Sequence, residues 1–248
     1  IKKVKLTGGE PLLRTDIVEI VGKLSNIPHI QEVAMTTNGT YLKSLAGPLK
    51  VAGLARVNVS LGSLDPECFS SITGVEGVGQ TLEGIKEAAR VGLSPIKVNM
   101  VVLKGLNDNQ VSAMIEYTGE YSLILQLIEF ESPNSEGGYY SRYHSDLAEI
   151  EMELKEKAAR VTVRRMQKRR KYFLDGGGEV EVVRPMHNTS FCMNCSRLRV
   201  TSDGKFKPCL FVADNLVDFL TPMRNGATDE EVKALLLVAV NRRRPYFT

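Results

Sequence analysis

Residues 3–14 read Lys-Val-Lys-Leu-Thr-Gly-Gly-Glu-Pro-Leu-Leu-Arg, a short strand-like stretch that ends in two glycines, a glutamate and a proline. Further short apolar runs follow it, and amphipathic stretches lie between them. Strands that alternate with helical stretches are typical of βα units and a parallel sheet. We therefore predict a parallel α/β barrel or an open α/β sheet, with strands over residues 4–7, 32–36, 56–61, 96–103 and 123–130.

Composition sets broad limits on the class of protein. The 248 residues are enough for one barrel-sized domain, or for one domain with an extension. A net charge of +3 is too small to indicate a nucleic-acid partner, and no apolar stretch approaches the length of a membrane span. Four cysteines, three of them clustered, fit a reducing cytoplasm better than a disulfide framework. Because Ile1 already begins a strand-like stretch, we expect an N-terminal segment to be missing.

The pattern changes after Ser132. A loop is predicted over residues 133–138 and a helix near 147–157, followed by short strands over 161–163, 172–174 and 180–183 and a last helix over 232–240. We therefore predict a first domain over residues 1–140 and a C-terminal α+β extension over residues 141–248.

Polar residues follow the predicted parallel strands. In parallel α/β folds, ligands bind at the carboxyl ends of the strands. Glycine and asparagine often end strands for conformational reasons alone, but five polar strand ends on one rim predict a ligand site. Two glycines let a ligand approach the backbone, and Glu10 is expected to accept from a cationic amine. The five strand ends are 7–11, 36–39, 58–60, 97–99 and 126–129.

The extension contains the pattern Cys192-x2-Cys195-x13-Cys209. Two cysteines on a tight turn and a third after a hairpin are a metal-ligand arrangement. Three thiolates leave one coordination position open for a substrate, and the forked guanidiniums of Arg197 and Arg199 suit phosphates. Alternatively, His187 completes a non-catalytic Cys3His zinc-binding module.

Several of these segments together resemble a known family. They are Thr-Gly-Gly-Glu-Pro (7–11), Thr-Thr-Asn-Gly (36–39), Arg-Val-Asn-Val-Ser-Leu (56–61), Lys-Val-Asn-Met-Val-Val-Leu-Lys-Gly-Leu-Asn-Asp (97–108) and the cysteine pattern. From residue 3 to about residue 240 the chain resembles the GTP 3′,8-cyclase family, radical S-adenosylmethionine enzymes known as molybdenum cofactor biosynthesis protein A. The resemblance implies an incomplete (β/α)6 TIM-like barrel, with a C-terminal extension that carries a second cluster.

The resemblance also implies roles for individual residues, although it assigns no catalytic residue. The residues expected at S-adenosylmethionine are Gly8, Gly9, Glu10, Asn38 and Ser60. Those expected at GTP are Lys5, Thr36, Lys97, Arg197, Leu198 and Arg199. Cys192, Cys195 and Cys209 are expected to hold a 4Fe-4S cluster whose open iron binds guanine. Relatives often place an Arg and a Met where this chain has Gln126 and Glu131, so those two positions receive no role.

The family's chemistry sets further expectations. A second 4Fe-4S cluster, bound by Cys-x3-Cys-x2-Cys, reduces S-adenosylmethionine, and the resulting 5′-deoxyadenosyl radical abstracts hydrogen from C3′ of GTP. That cysteine pattern is absent from the 248 residues and is expected on the missing segment, without which the chain should be inactive. The family's pathway implies cyclic pyranopterin monophosphate synthase as the next enzyme, and the resemblance is compatible with a homodimer. A radical S-adenosylmethionine peptide-modifying enzyme with an auxiliary cluster is the alternative enzyme class.

Overall fold

The computed structural model describes residues 1–132 and 138–247. The loop predicted over residues 133–138 therefore lies, except for its last residue, outside the described residues. Within the described ranges, no helix is long and apolar enough to cross a membrane.

Eight strands of the described chain form the main sheet. They are β1 (Lys3–Leu6), β2 (Glu32–Thr37), β3 (Leu54–Ser60), β4 (Lys97–Val102), β5 (Ile124–Glu129), β6 (Ala158–Val163), β7 (Arg170–Leu174) and β8 (Glu179–Val183). The order across the sheet is β1-β2-β3-β4-β5-β8-β7-β6. Neighbours from β1 to β5 pair in parallel, β8 pairs in parallel with β5, and β7 is antiparallel to β8. This topology confirms the predicted α/β class with a partial TIM-like barrel. Its sixth parallel strand comes from the segment assigned to the extension.

Helices cover one face of this sheet. Alternate strand residues such as Met35, Val59 and Leu127 are fully buried, in one hydrophobic cluster with helix residues such as Leu49 and Ile85. This alternation arises because successive side chains of a strand point to opposite faces. The helices in this part of the chain are α1 (Ile17–Ser25), α2 (Leu42–Val51), α3 (Pro66–Thr73), α4 (Val78–Arg90), α5 (Val111–Glu120), α6 (Gly138–Tyr143) and α7 (Ala148–Glu156).

The opposite face of the sheet, here called the polar face, carries the residues that alternate with the core positions. It is defined by Lys5, Thr36, Arg56, Asn58, Ser60, Lys97, Asn99, Gln126 and Glu181. The strand register places Thr36 beside Asn58 and Asn58 beside Lys97. A second row runs from Ser60 through Asn99 and Gln126 to Glu181. Burying this polar face in an apolar core would be unfavourable, so the face is suited to binding a polar ligand.

The chain divides into two compact units. The first comprises Ile1–Thr162 and Arg170–Val183, and the second comprises Val163–Arg169 and Arg184–Thr248. In the second unit an antiparallel sheet shares a small core of Phe206, Val217 and Ala239 with the helix over Asp229–Asn241. The predicted domain division after residue 140 stays a prediction. The remaining elements are α8 (Thr189–Met193), β9 (Arg199–Val200), β10 (Lys205–Lys207), β11 (Val217–Asp218), α9 (Leu220–Arg224) and α10 (Asp229–Asn241).

Candidate functional site

The backbone is accessible at the carboxyl end of β1. Gly8 has a φ of +147°, which residues with a β-carbon rarely adopt. At Gly8 and Gly9, a β-carbon would meet no atom of the described residues within 4 Å, apart from chain neighbours. The peptide groups of this turn can therefore be approached by a ligand, as the sequence predicts.

Glu10 is bound by three protein donors. Its Oε1 accepts from Thr37 Oγ1 at 2.6 Å and from the backbone N–H of Leu12 at 3.0 Å. Its Oε2 accepts from the backbone N–H of Asn38 at 2.7 Å. Hydrogen bonds to an ionised acceptor are the stronger kind, so this carboxylate joins the loop after β1 to the loop after β2. Glu10 thus positions Asn38, and its direct contact with a ligand amine stays a prediction.

The loop after β2 packs closely against helix α4. Gly39 has a φ of +84°, and a β-carbon there would lie 2.9 Å from Val59 Cγ1. A β-carbon on Gly84 would lie 2.5 Å from the carbonyl oxygen of Gly39. Thr81 Oγ1 donates to the backbone oxygen of Asn38 at 3.0 Å. The two glycines therefore permit the contact that holds Asn38 at the rim of the sheet.

Hydrogen bonds connect side chains across four neighbouring strands of the main sheet. Glu32 accepts from Lys3 Nζ at 2.8 Å and from Arg56 Nε at 2.9 Å. Arg56 Nη1 also donates to Asn58 Oδ1 at 3.1 Å. Asn58 Nδ2 in turn donates to Asn99 Oδ1 at 3.1 Å. These side chains are therefore held by one another, which is the preorganisation that a binding surface requires.

A buried ion pair occupies the next part of the polar face. Lys97 Nζ contacts Glu181 Oε2, and the two residues are 6% and 0% exposed. A buried charge needs an opposite charge close to it, so Glu181 fixes the position of the Lys97 ammonium. Glu181 is not among the residues predicted from the sequence. Its signal in the sequence is the alternation Glu179-Val180-Glu181-Val182, which is typical of a strand with one polar face.

The structure brings the predicted sheet residues for GTP to one face. Lys5 is exposed on β1 and Thr36 is partly buried on β2, while Lys97 begins β4. Ser60, predicted at S-adenosylmethionine, is exposed at the carboxyl end of β3. Neighbouring strands therefore present all four side chains on the polar face, although their ligand contacts stay predictions.

The three clustered cysteines lie in the second unit. Cys192 belongs to α8, Cys195 follows this helix and Cys209 follows β10. All three are free thiols and partly buried. Within residues 1–132 and 138–247, no group of three or more His, Cys, Asp or Glu side chains is arranged to hold a metal ion. Both the three-cysteine ligand set and the Cys3His alternative therefore stay predictions.

The surroundings of Cys195 suit a thiolate. Burial raises the pKa of the Cys195 thiol, but the backbone N–H of Arg197 and the guanidinium of Arg243 outweigh burial and lower this pKa below its ordinary value. Arg243 Nη1 also donates to the carbonyl oxygen of Cys195. Gln167 Nε2 donates to Cys195 Sγ at 3.5 Å. Because iron–sulfur clusters are held by thiolates, this donor chemistry fits such a group.

The three residues of the segment 197–199 differ in exposure to solvent. Arg197 is exposed, Arg199 is partly buried at the start of β9, and Leu198 packs against the small core of the second unit. A guanidinium is a strong phosphate donor, whereas the side chain of Leu198 is taken up by packing. We therefore expect Leu198 to contribute to binding through its backbone.

The fold and site define a class of protein, and family comparisons agree with it. Residues 1–118 match the Radical SAM superfamily, and residues 123–248 match Molybdenum Cofactor Synthesis C. The chain is 52% identical to the "Probable GTP 3',8-cyclase" of Thermococcus kodakarensis and 47% identical to that of Pyrococcus abyssi. The whole chain is matched in both, over 81% and 82% of those relatives. The chain therefore belongs to the GTP 3′,8-cyclase family of radical SAM proteins.

Solved structures agree with this assignment at the level of the fold. One neighbour is Streptococcus suis SuiB bound to S-adenosylmethionine, with a TM-score of 0.61 and 16% identity over 86% of this chain and 50% of that chain. Another is histidine-tagged anSMEcpe with bound AdoMet, with a TM-score of 0.56 and 17% identity over 96% of this chain and 66% of that chain. Both support the radical SAM type of barrel.

Proposed function

We propose that the chain is a GTP 3′,8-cyclase, which converts GTP to (8S)-3′,8-cyclo-7,8-dihydroguanosine 5′-triphosphate in the first step of molybdopterin cofactor biosynthesis. The observation that carries the proposal is the 52% identity, over the whole chain, to a relative with that name. The match of the second half to Molybdenum Cofactor Synthesis C supports the same pathway.

The rim of the main sheet is assigned to S-adenosylmethionine. Gly8 and Gly9 offer accessible backbone groups, and Ser60 offers an exposed hydroxyl at the end of β3. Asn38 is held by the Glu10 carboxylate and by Thr81. Fixed donors and acceptors at strand ends bind a ligand with little loss of side-chain entropy, which supports this assignment.

The polar face is assigned to GTP. Lys5, Thr36 and Lys97 belong to it, and cationic and hydroxyl groups recognise phosphate and ribose oxygens. Since Lys97 is paired with Glu181, we assign to it a fixed positive charge rather than a mobile one. In the second unit, the guanidiniums of Arg197 and Arg199 supply further phosphate donors.

Cys192, Cys195 and Cys209 are assigned to a 4Fe-4S cluster. When bound, such a cluster supplies an open iron position for the guanine base. The lowered pKa of Cys195 and the three free thiols support this assignment. No cysteine of this chain is assigned to the radical-generating cluster, because its 248 residues contain no Cys-x3-Cys-x2-Cys pattern.

The proposed activity fixes the chemistry of the partners. GTP is the substrate and S-adenosylmethionine the co-substrate, while the electron donor is left unassigned. Cyclic pyranopterin monophosphate synthase is the proposed next enzyme, because it consumes the cyclised nucleotide. Cytoplasmic location and a homodimeric state stay predictions.

Anaerobic reconstitution tests the proposal. The chain is incubated with iron and sulfide in the presence of equimolar zinc, and bound iron, sulfide and zinc are measured. GTP affinity is then measured by calorimetry, with ATP as the matched control. We expect about four irons and four sulfides per chain, as in a 4Fe-4S cluster, and preferential binding of GTP. Stoichiometric zinc without iron would favour the zinc module, and iron without GTP binding would favour a peptide-modifying enzyme.

A further inference from the structure

Gln167 has a strained backbone beside the cysteine loop. It lies in the turn Met166–Lys168, with a φ of 62° and a ψ of 10°, and Lys168 has a φ of 50°. Residues with a β-carbon occupy this left-handed region only at an energetic cost. Two such residues in succession persist when other contacts hold the turn, and these contacts point to the role of the segment.

The contacts of Gln167 lead to one cysteine. Its backbone N–H donates to the carbonyl oxygen of Asn194 at 2.8 Å, one residue before Cys195. Its side-chain Nε2 donates to Cys195 Sγ at 3.5 Å. The residue is 4% exposed, so water does not compete strongly for this hydrogen bond.

The side-chain oxygen of Gln167 has no comparable contact. The Oε1 atom of Gln167 is buried and has no hydrogen-bond partner in the described part of the chain. A buried acceptor without a partner is unfavourable, so a residue suited to packing alone would be apolar here. The amide is therefore retained for its donor, which is directed at sulfur.

We propose that Gln167 is a positioning residue for the cluster bound by Cys195: its N–H···S hydrogen bond orients this ligand and raises the reduction potential of the cluster. The proposal rests on the proposed function, in which Cys195 is a cluster ligand. Reduction adds negative charge that is shared with the ligand sulfurs, and a donor aimed at sulfur stabilises the reduced state more than the oxidised one. Neither the family resemblance nor the relatives' names assign a role to this glutamine.

The test is a redox titration of the anaerobically reconstituted chain, with dithionite as the reductant and electron paramagnetic resonance as the readout. Gln167→Gly removes the amide and relieves the backbone strain. Lys168→Gly relieves the same kind of backbone strain in the next residue and leaves the side-chain amide of Gln167 in place. This variant is therefore the matched control. We expect Gln167→Gly to lower the ratio of reduced to oxidised cluster at least tenfold at a fixed potential. For a one-electron couple, this corresponds to a midpoint potential that is more negative by about 59 mV. Lys168→Gly should titrate like the unmodified chain.

A second variant guards against loss of the fold. Gln167→Glu keeps the shape of the side chain and replaces the amide donor by a carboxylate. The midpoint potential of the cluster should therefore also become more negative. An unchanged midpoint in the Gln167 variants, or an equal shift in Lys168→Gly, would overturn the inference while leaving the proposed function intact. Failure of the unmodified chain to bind iron would instead overturn the proposed function, and this inference with it.

Discussion

Lys97 and Glu181 form a buried ion pair that connects β4 to β8 across the intervening strand β5. Both charges are removed from water, and their close contact offsets part of the cost of burying them. This pair fixes a positive charge on the face of the sheet to which we assign GTP.

Breaking the pair from one side should destabilise the chain. We predict that Glu181→Gln lowers the free energy of unfolding by about 3–5 kcal/mol, because it removes the carboxylate that contacts the buried Lys97 ammonium. Urea denaturation of the variant measures this loss. The double variant Lys97→Met with Glu181→Leu should lose less than Glu181→Gln alone, and a larger loss would contradict the compensation argument. Lys3→Met, at the exposed Lys3–Glu32 bridge, is the control and should cost less than about 1 kcal/mol.

Removal of the Glu10 carboxylate should release the loop that carries Asn38. We predict that Glu10→Ala costs about 1–3 kcal/mol of stability, since it leaves the Thr37 hydroxyl and two backbone N–H groups without their acceptor. Binding of S-adenosylmethionine, measured by calorimetry, should weaken about tenfold in the same variant. Glu19→Ala, on the exposed side of α1, removes only an exposed ion pair with Lys23; it should cost less than about 0.5 kcal/mol and leave the affinity unchanged. Unchanged affinity in Glu10→Ala would argue against the assigned position of Asn38.

Two glycines of helix α4 should respond oppositely to alanine. At Gly79 the added β-carbon would meet no atom of the described residues within 4 Å, apart from chain neighbours and the helix's own backbone, so Gly79→Ala should stabilise the chain by about 0.5–1 kcal/mol. At Gly84 the β-carbon would lie 2.5 Å from the Gly39 carbonyl oxygen, so Gly84→Ala should destabilise it and displace the loop beside Asn38. Thermal and urea unfolding of the two variants, together with calorimetry of S-adenosylmethionine, check both signs. Equal effects of the two substitutions on stability would show that the loop at Gly39 moves away from a β-carbon on Gly84 at no cost.

The guanidiniums of the segment 197–199 should contribute to GTP affinity. We predict that Arg197→Ala and Arg199→Ala each weaken GTP binding by about tenfold or more, because a charge-assisted hydrogen bond to phosphate is lost. Calorimetry with GTP measures the change. Arg224→Ala removes an exposed arginine of the same unit and serves as the control. Affinity that stays unchanged in both segment variants would contradict the assignment of this segment.

Much of the fold could be predicted from local pattern. The strands around Val33, Val57 and Leu125 were identified from apolar runs, and each lies within two residues of the predicted bounds. The sequence pattern does not place β8 in the main sheet, because a five-residue strand with two glutamates gives no local sign of which sheet it joins. Pairing with β5 is decided by burial of Val180 and Val182 in the main core.

The sequence by itself determined the class of protein and the residue types of its candidate sites, since the glycine turn, the strand ends and the cysteine spacing are local patterns. Tertiary structure alone decided which side chains distant in the sequence contact each other. Glu181 is 84 residues from Lys97, and Gln167 is 28 residues from Cys195. Contacts at such separations depend on sheet order and on strained turns. These arise from the burial of the whole chain rather than from any short segment of it.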